Sequence, residues 1–284
     1  MTIAVTAATG QLGRLTVEQL LNRVAAEQIV AIVRDGARAA DLAERGVVVR
    51  EASYDDRAGY TTALAGVEKV LLVSGNEFGQ RTAQHTNVIE AAKAAGVGQV
   101  IYTSAPHADV SDLIVAPEHR ATEQVLAAAG IDYVIARNNW YTENYVPAVA
   151  QARQTGTLLT SAGTGRVASA ARIDFATAAA VLLTEDGHGG RTYELTGDYA
   201  WTMAELADAI AAVIGAPVSL QVVSPEEQTR ILTEAGVPEF GVHFTVKTDT
   251  DIEAGALSEV TGELATLIGR PTTPLLDALR AASA

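Results

Sequence analysis

Six short apolar runs punctuate the first half of the chain, at Ile3–Thr6, Ile29–Val33, Val47–Glu51, Lys69–Val73, Gln99–Thr103 and Tyr133–Ala136. Most are continuously apolar rather than alternating, the pattern of strands covered on both faces. Between them lie segments with helical spacing at about 11–25, 37–45, 57–65, 80–95 and 117–129. Gly96 and Gly130 follow two of these segments, in the position where a left-handed residue ends a helix. Strands joined through helices must run parallel with right-handed crossovers, so the chain is predicted to form a doubly wound α/β sheet.

The second half is patterned differently. Thr202-Met203-Ala204-Glu205 is a capping box, and the helix it opens is predicted to stop at Gly215. Ser224-Pro225-Glu226-Glu227 opens another helix to about Ala235, and Thr273-Pro274 a last one. Short strands are expected near Thr192–Leu195 and Val218–Val222. The expected division is residues 1–150 as the sheet domain, with segments around 165–195 returning to it, and 196–284 as a smaller, mostly helical lobe.

The first strand runs into Thr6-Ala7-Ala8-Thr9-Gly10-Gln11-Leu12-Gly13. Glycine at the start of a βα helix lets backbone approach a pyrophosphate, whose charge the helix N-terminus stabilises. Here Gly10 would admit the pyrophosphate and Gly13 would admit close packing of helix on sheet. Arg34 closes the second strand, 21 residues after Gly13. An acidic residue there would accept from the ribose 2′-OH of NAD, whereas Arg suits the 2′-phosphate of NADP. Arg14, Arg38 and the helix start near Ala37 are candidates to complete that pocket. Asp55, in Ser53-Tyr54-Asp55-Asp56, lies where an adenine ring is expected, although Asp56 serves equally as a helix cap. Val73, Ser74 and Gly75 after the fourth strand and Thr103 after the fifth are placed beside the ribose and nicotinamide. The fold expected is thus Rossmann-like.

Composition narrows the function classes. The formal charge of −14 over 284 residues opposes nucleic acid and anionic membrane surfaces as partners. Cysteine is absent, which excludes disulfides, thiolate nucleophiles and Cys-ligated zinc. No apolar run approaches the roughly 20 residues of a membrane span. No signal-peptide pattern opens the chain, so a cytoplasmic protein is expected. Five histidines show no metal-ligand spacing and no Gly-x-Ser-x-Gly elbow occurs, so neither a metal centre nor a hydrolase is expected. A monomer and a homodimer are equally open.

Thr9-Gly10-Gln11-Leu12-Gly13, Ala31-Ile32-Val33-Arg34, Tyr102-Thr103-Ser104 and the run Arg137-Asn138-Asn139-Trp140-Tyr141-Thr142-Glu143-Asn144-Tyr145 together resemble one family. This is the NmrA-like branch of atypical short-chain dehydrogenases, and within it the type 2 NAD(P)H:quinone oxidoreductases, with triphenylmethane reductases nearby. The likeness spans essentially the whole chain. It implies NADPH bound by the N-terminal domain and a substrate cleft between lobes. Cofactor-binding residues are then expected at Thr9, Gly10, Gln11, Leu12, Gly13, Arg34, Asp55, Val73, Ser74, Gly75, Thr103, Asn138, Asn139, Trp140 and Tyr141. Two positions depart from the pattern. Ala7 stands where the family's loop has its first Gly, and Asn139 where Gly is common. If position 7 needs positive φ, its Cβ costs on the order of 1 kcal/mol.

The familiar Tyr-x-x-x-Lys dyad is missing. Lys69, Lys93 and Lys247 are the only lysines, and Arg137 follows Tyr133 at that spacing but within a strand. Reducing a ketone yields an alkoxide whose conjugate acid lies near water's value, about 16. Reducing a quinone yields a phenolate-like ion with a conjugate acid near 10, roughly that of Tyr, so solvent can supply the proton. The missing dyad therefore points to a strongly electrophilic acceptor, with positioning as the main catalytic contribution. Asn139, Tyr141 and Asn144 are the candidates to hydrogen-bond a quinone oxygen, each with an equally available structural role. His107 and His119 are alternative proton shuttles or exposed loop residues. The leading function is NADPH-dependent quinone reduction by direct hydride transfer without flavin. The alternatives are a triphenylmethane-dye-type reductase and an NADP-binding redox sensor without turnover.

Overall fold

The computed structural model describes residues 1–283. In chain order its strands are β1 (Ile3–Val5), β2 (Ile29–Val33), β3 (Val48–Glu51), β4 (Lys69–Leu72), β5 (Gln99–Ser104), β6 (Asp132–Asn138), β7 (Thr157–Thr160), β8 (Arg166–Val167), β9 (Thr192–Leu195), β10 (Trp201–Thr202) and β11 (Ser219–Val222). Its helices are α1 (Gln11–Leu21), α2 (Ala40–Glu44), α3 (Arg57–Ala63), α4 (Arg81–Ala94), α5 (Ala116–Ala128) and α6 (Val146–Thr155). They continue with α7 (Arg172–Thr184), α8 (Met203–Ile214), α9 (Pro225–Glu234), α10 (Glu239–Glu253), α11 (Glu263–Ile268) and α12 (Leu275–Ser283). Every strand of the first half forms within a residue or two of the apolar run that implied it. Helix α1 is shorter than its pattern, because Arg23 N–H turns back to the Leu20 carbonyl at 2.8 Å and tightens the last turn.

Seven strands join in the order β3-β2-β1-β4-β5-β6-β9. The pairs from β3 through β6 are all parallel. All five residues of β2 are buried, as continuous apolar strands require, and each of its Val and Ile side chains contributes roughly 2 kcal/mol. One core unites Val30, Ile32, Val70, Leu72 and Val100 with Tyr60, Leu64, Val88, Ile89 and Leu126. Helices α1 and α7 pack together and bring Val17, Leu20, Phe175 and Leu182 into burial. Strand order reverses between β1 and β4, and ligands of open α/β sheets collect at the carboxyl ends of the strands beside such a reversal.

The chain divides into two compact units. The first comprises Met1–Ala108, Pro117–Asn138 and Arg172–Glu194; the second comprises Asp109–Ala116, Asn139–Ala171 and everything from Leu195 onward. The expected boundary at 150 therefore moves to 138, and the returning segment begins at 172 rather than 165. The physical reason is the second hydrophobic core, which takes Trp140, Tyr145, Ala148, Val149 and Ala152 together with Val167, Trp201, Leu206, Ile210, Ile252 and Leu279. That unit carries a parallel pair β7–β11 and an antiparallel pair β8–β10. The capping box on α8 forms, with Glu205 N–H donating to Thr202 Oγ1 at 3.3 Å and Gly215 left-handed at the far end. Among the described residues, no helix is long and apolar enough to cross a membrane.

Candidate dinucleotide-binding site

Ala7 adopts φ +47°, one of two non-glycine residues with positive φ among those described. The turn therefore does need a left-handed residue where the sequence supplies Ala. Gly10 N–H closes the turn on the Ala7 carbonyl at 2.8 Å. A Cβ on Gly10 would lie 3.1 Å from that oxygen. Gly10 is the N-cap of α1, no side chain caps this helix, and its first turn holds no acidic residue. Thr9 is half-buried, Gly10 and Gln11 are exposed, and Leu12 and Gly13 are buried against the sheet.

Neighbouring helix starts contrast with it. Beyond β2, Ala37 N–H donates to Asp35 Oδ1 at 3.0 Å and Gly36 N–H to Glu51 Oε1 at 2.8 Å. Helix α3 is capped by Asp56, which accepts from Gly59 N–H at 2.9 Å. The protein's own carboxylates thus occupy those starts, and α1 keeps an N-terminus open to an anionic ligand. The expectation that the helix start near Ala37 helps hold a 2′-phosphate is corrected: its amides serve Asp35 and Glu51.

Arg34 lies at the end of β2 with its side chain 76% exposed and a guanidinium nitrogen 3.8 Å from Glu77 Oε1. Arg14 does not join it. Its guanidinium is bound to Asp41 and to Glu18, whose Oε1 it meets at 3.2 Å. Asp41, its hydrogen-bond partner, raises the Arg14 pKa. Asp55 is exposed and accepts from Gln84 Nε2 at 3.1 Å.

The ends of β1 and β4 are tied by three hydroxyl and backbone groups. Val73 N–H donates to Thr6 Oγ1 at 3.0 Å, and Tyr54 Oη donates to the Val73 carbonyl at 2.6 Å. Tyr54 has a single hydroxyl proton, so its 2.7 Å contact with Thr6 Oγ1 must be donated by Thr6. The three bonds form a closed ring. Burial raises the Tyr54 pKa and keeps the phenol protonated for this purpose. Next along the chain, Ser74 N–H donates to Thr103 Oγ1 at 2.9 Å and Gly75 N–H to His85 Nε2 at 2.9 Å.

At the β5 and β6 ends, Arg137 is held rather than presented. Glu123 takes it in a fork at 2.9 and 2.7 Å, and Glu194 accepts from its third nitrogen at 2.9 Å. Ser104 Oγ donates to the same Glu123 at 2.6 Å. His119 is buried on α5, not exposed in a loop, and its Nδ1 meets Tyr102 Oη at 2.7 Å. Burial pushes its pKa well below the usual value, so it stands neutral. His107, also left-handed at φ +47°, lies 3.4 Å from Glu194. Asn138 ends β6 as a buried residue.

The remaining candidates fall in the second unit. The buried Asn139 amide serves backbone, accepting from Trp140 N–H at 2.6 Å and donating to the Leu257 carbonyl at 3.3 Å. Trp140 is half-buried and stacks on Phe244 at 6.3 Å between centroids, with Phe240 next at 6.1 Å. Tyr141 bridges to Ala170, and Asn144 is exposed one turn later, its N–H on the Tyr141 carbonyl at 3.0 Å. Sequence reasoning missed Thr6, His85 and Arg81. The Arg-x-x-x-His spacing of 81 and 85, which sets both on one helical face, was the available signal.

A glycine-marked turn at the reversal point of this sheet defines a dinucleotide-binding α/β protein. The chain belongs to the NAD(P)H-binding family, whose sequence profile matches residues 7–186. It is 46% identical to quinone oxidoreductase 2 of Escherichia coli strain K12 over 277 residues, 98% of this chain and 97% of that one. The solved NADPH-dependent quinone oxidoreductase of E. coli in complex with NADPH superposes with a TM-score of 0.95, covering 99% of each chain. The Citrobacter sp. triphenylmethane reductase complexed with NADP(H) is 40% identical, with a TM-score of 0.93 over 99% of this chain and 100% of that one.

Proposed function

We propose that this protein is an NADPH-dependent reductase that transfers a hydride directly to a quinone-type acceptor, without flavin. The observation that carries the reading is the 46% identity, end to end, to a quinone oxidoreductase whose structure holds NADPH in the same fold. The residues fit the cofactor. Gly10 and Gly13 let the turn after β1 pack closely on the Ala7 backbone, and the helix that follows starts with no side-chain cap and no acidic residue in its first turn. Thr9, Gly10, Gln11 and Leu12 hold the pyrophosphate and Arg34 the 2′-phosphate, with Asp55 by the adenosine and Val73, Ser74, Gly75 and Thr103 along the ribose and nicotinamide.

NADPH, when bound, supplies the hydride. The quinone ring accepts it and takes one proton, which solvent can provide, and leaves as the hydroquinone. The protein's task is to hold the acceptor at the nicotinamide and to lower the cost of bringing the two rings together. Trp140 stacked on Phe244, with the exposed Phe240 alongside, offers an aromatic surface suited to a planar acceptor. Tyr141 and Asn144 remain the candidates to bond a quinone oxygen. Asn139 acts through the backbone it holds.

Mixing the purified protein with NADPH and small benzoquinones, without flavin, and following loss of NADPH absorbance tests this. Oxidation above the uncatalysed rate is expected. Binding of NADPH without oxidation would support the sensor alternative instead. The triphenylmethane reductase likeness favours a second acceptor class, cationic dyes, which a chain of formal charge −14 attracts.

A further inference from the structure

We propose that His85 is a positioning residue for the cofactor, acting through Gly75; this rests on the NADPH reading above. Three consecutive backbone N–H groups at the exit of β4 are received by side chains from three different elements. Val73 is held by Thr6 at the end of β1, Ser74 by Thr103 of β5 and Gly75 by His85 of α4. The Gly75 carbonyl is also taken, by Arg81 Nε at 2.8 Å. Both polar groups of the Gly75 residue are therefore fixed by one face of α4. This wall therefore offers no free backbone donor at 73, 74 or 75.

The protonation of His85 follows from its partners. Nε2 accepts from Gly75 N–H, so it carries no proton, and Nδ1 must carry it. Nδ1–H then donates to Thr122 Oγ1 at 3.0 Å, and Thr122 donates onward to the Glu118 carbonyl at 2.9 Å. The ring is fully buried and lies edge-on to Tyr54 and Tyr102, with centroids at 6.0 and 5.4 Å. It has one available orientation and one tautomer. A protonated ring would lose the acceptor that Gly75 needs, and burial together with Arg81 pushes its pKa down to about 3. The clamp is set throughout the ordinary working range.

The test compares His85→Leu, which keeps volume but removes the acceptor, with His85→Gln, whose Oε1 reaches the same place. NADPH dissociation constants, steady-state KM and kcat, and thermal midpoints are measured for each. His85→Leu is expected to raise Kd and KM for NADPH about fivefold, the equivalent of one lost hydrogen bond, with kcat at saturation falling by less than about twofold. His85→Gln is expected to restore both constants to within about twofold of the parent. A folded His85→Leu protein with parental Kd and KM, or a His85→Gln protein as impaired as His85→Leu, overturns the proposal. If His85→Leu does not fold, Thr122→Val frees the ring at Nδ1 and is expected to raise Kd in the same direction; an unchanged Kd overturns it. Hydrogen exchange of the segment 73–80, measured without NADPH, separates the two readings. Exchange accelerated in the folded variant, in a parent that fails to bind NADPH, sinks the NADPH reading and leaves the His85–Gly75 clamp standing.

Discussion

Gly13 lies against the backbone of Ala7 so closely that a Cβ on it would stand 2.9 Å from the Ala7 carbonyl carbon, and nearer still to its oxygen. The atoms it would meet are backbone atoms of Ala7 and Ala8 in the turn after β1, with no flexible side chain to give way. Gly13→Ala is therefore expected to cost about 2 kcal/mol, the scale of overpacking a tight site. It should also displace the turn proposed to hold the pyrophosphate. Urea denaturation and NADPH titration check this, and parental values in both would mean that helix α1 shifts freely on the sheet.

Ala7 itself carries the strain that glycine avoids. At φ +47° its Cβ crowds the following carbonyl, at a cost of roughly 1 kcal/mol. Ala7→Gly should raise the population of the binding-competent turn and tighten NADPH by up to about fivefold. Calorimetric titration of the two proteins reads this directly. An unchanged dissociation constant would show that the surrounding hydrogen bonds already hold the turn at full population.

Cofactor choice is expected to depend on Arg34, because Arg14 is already bound to Asp41 and Glu18. Arg34→Ala should weaken NADPH by about tenfold or more, through loss of a charge-assisted contact, and NADH by less than about twofold. Glu77 lies 3.8 Å from the same guanidinium and would compete with a 2′-phosphate for it. Glu77→Gln should tighten NADPH slightly at low salt, a gain that salt screening removes. Equal losses for both nucleotides in Arg34→Ala would rule out this assignment.

Two buried neutral histidines give the fold a defined acid sensitivity. His85 titrates near 3 in the folded protein and His119 well below its ordinary value, both because burial disfavours the charged ring. An unfolded His takes up its proton near 6.5, so below that pH the unfolded state binds more protons than the folded one. Stability from these groups is complete above about pH 6.5 and falls as pH drops below it, for His85 by about 1.4 kcal/mol per pH unit toward pH 3, with His119 acting in the same direction. Urea midpoints measured across that window should slope accordingly. His85→Gln should flatten the slope, and an identical slope in that variant would place the acid sensitivity elsewhere.

Much of the sheet was legible because its causes are local. Ile29–Val33 is apolar without interruption and forms a strand buried along its whole length. Gly10 and Gly13 mark the turn because their backbone neighbours leave no room for a side chain. Thr202 and Glu205 cap α8 across three residues, and that bond forms as the spacing requires. The reading failed where a side chain had two possible partners. Arg14 pairs with Asp41 across 27 residues instead of facing a ligand, and His119 turns inward to Tyr102. The chain from 139 to 155 leaves the first unit because its apolar side chains join a separate core, and no change of composition at 138 announces it.

By itself, then, the sequence determined a doubly wound sheet and a glycine-marked turn into a helix start suited to phosphate. Each follows from periodicity or from backbone sterics within a few residues. Tertiary structure decided which polar groups remain for a ligand. Thr6, Thr103 and His85 lie 67, 29 and 10 residues from the amides they receive at Val73, Ser74 and Gly75. A hydrogen bond is set by distance and angle in space, so only the packing of β1, β4, β5 and α4 could bring those acceptors to one turn.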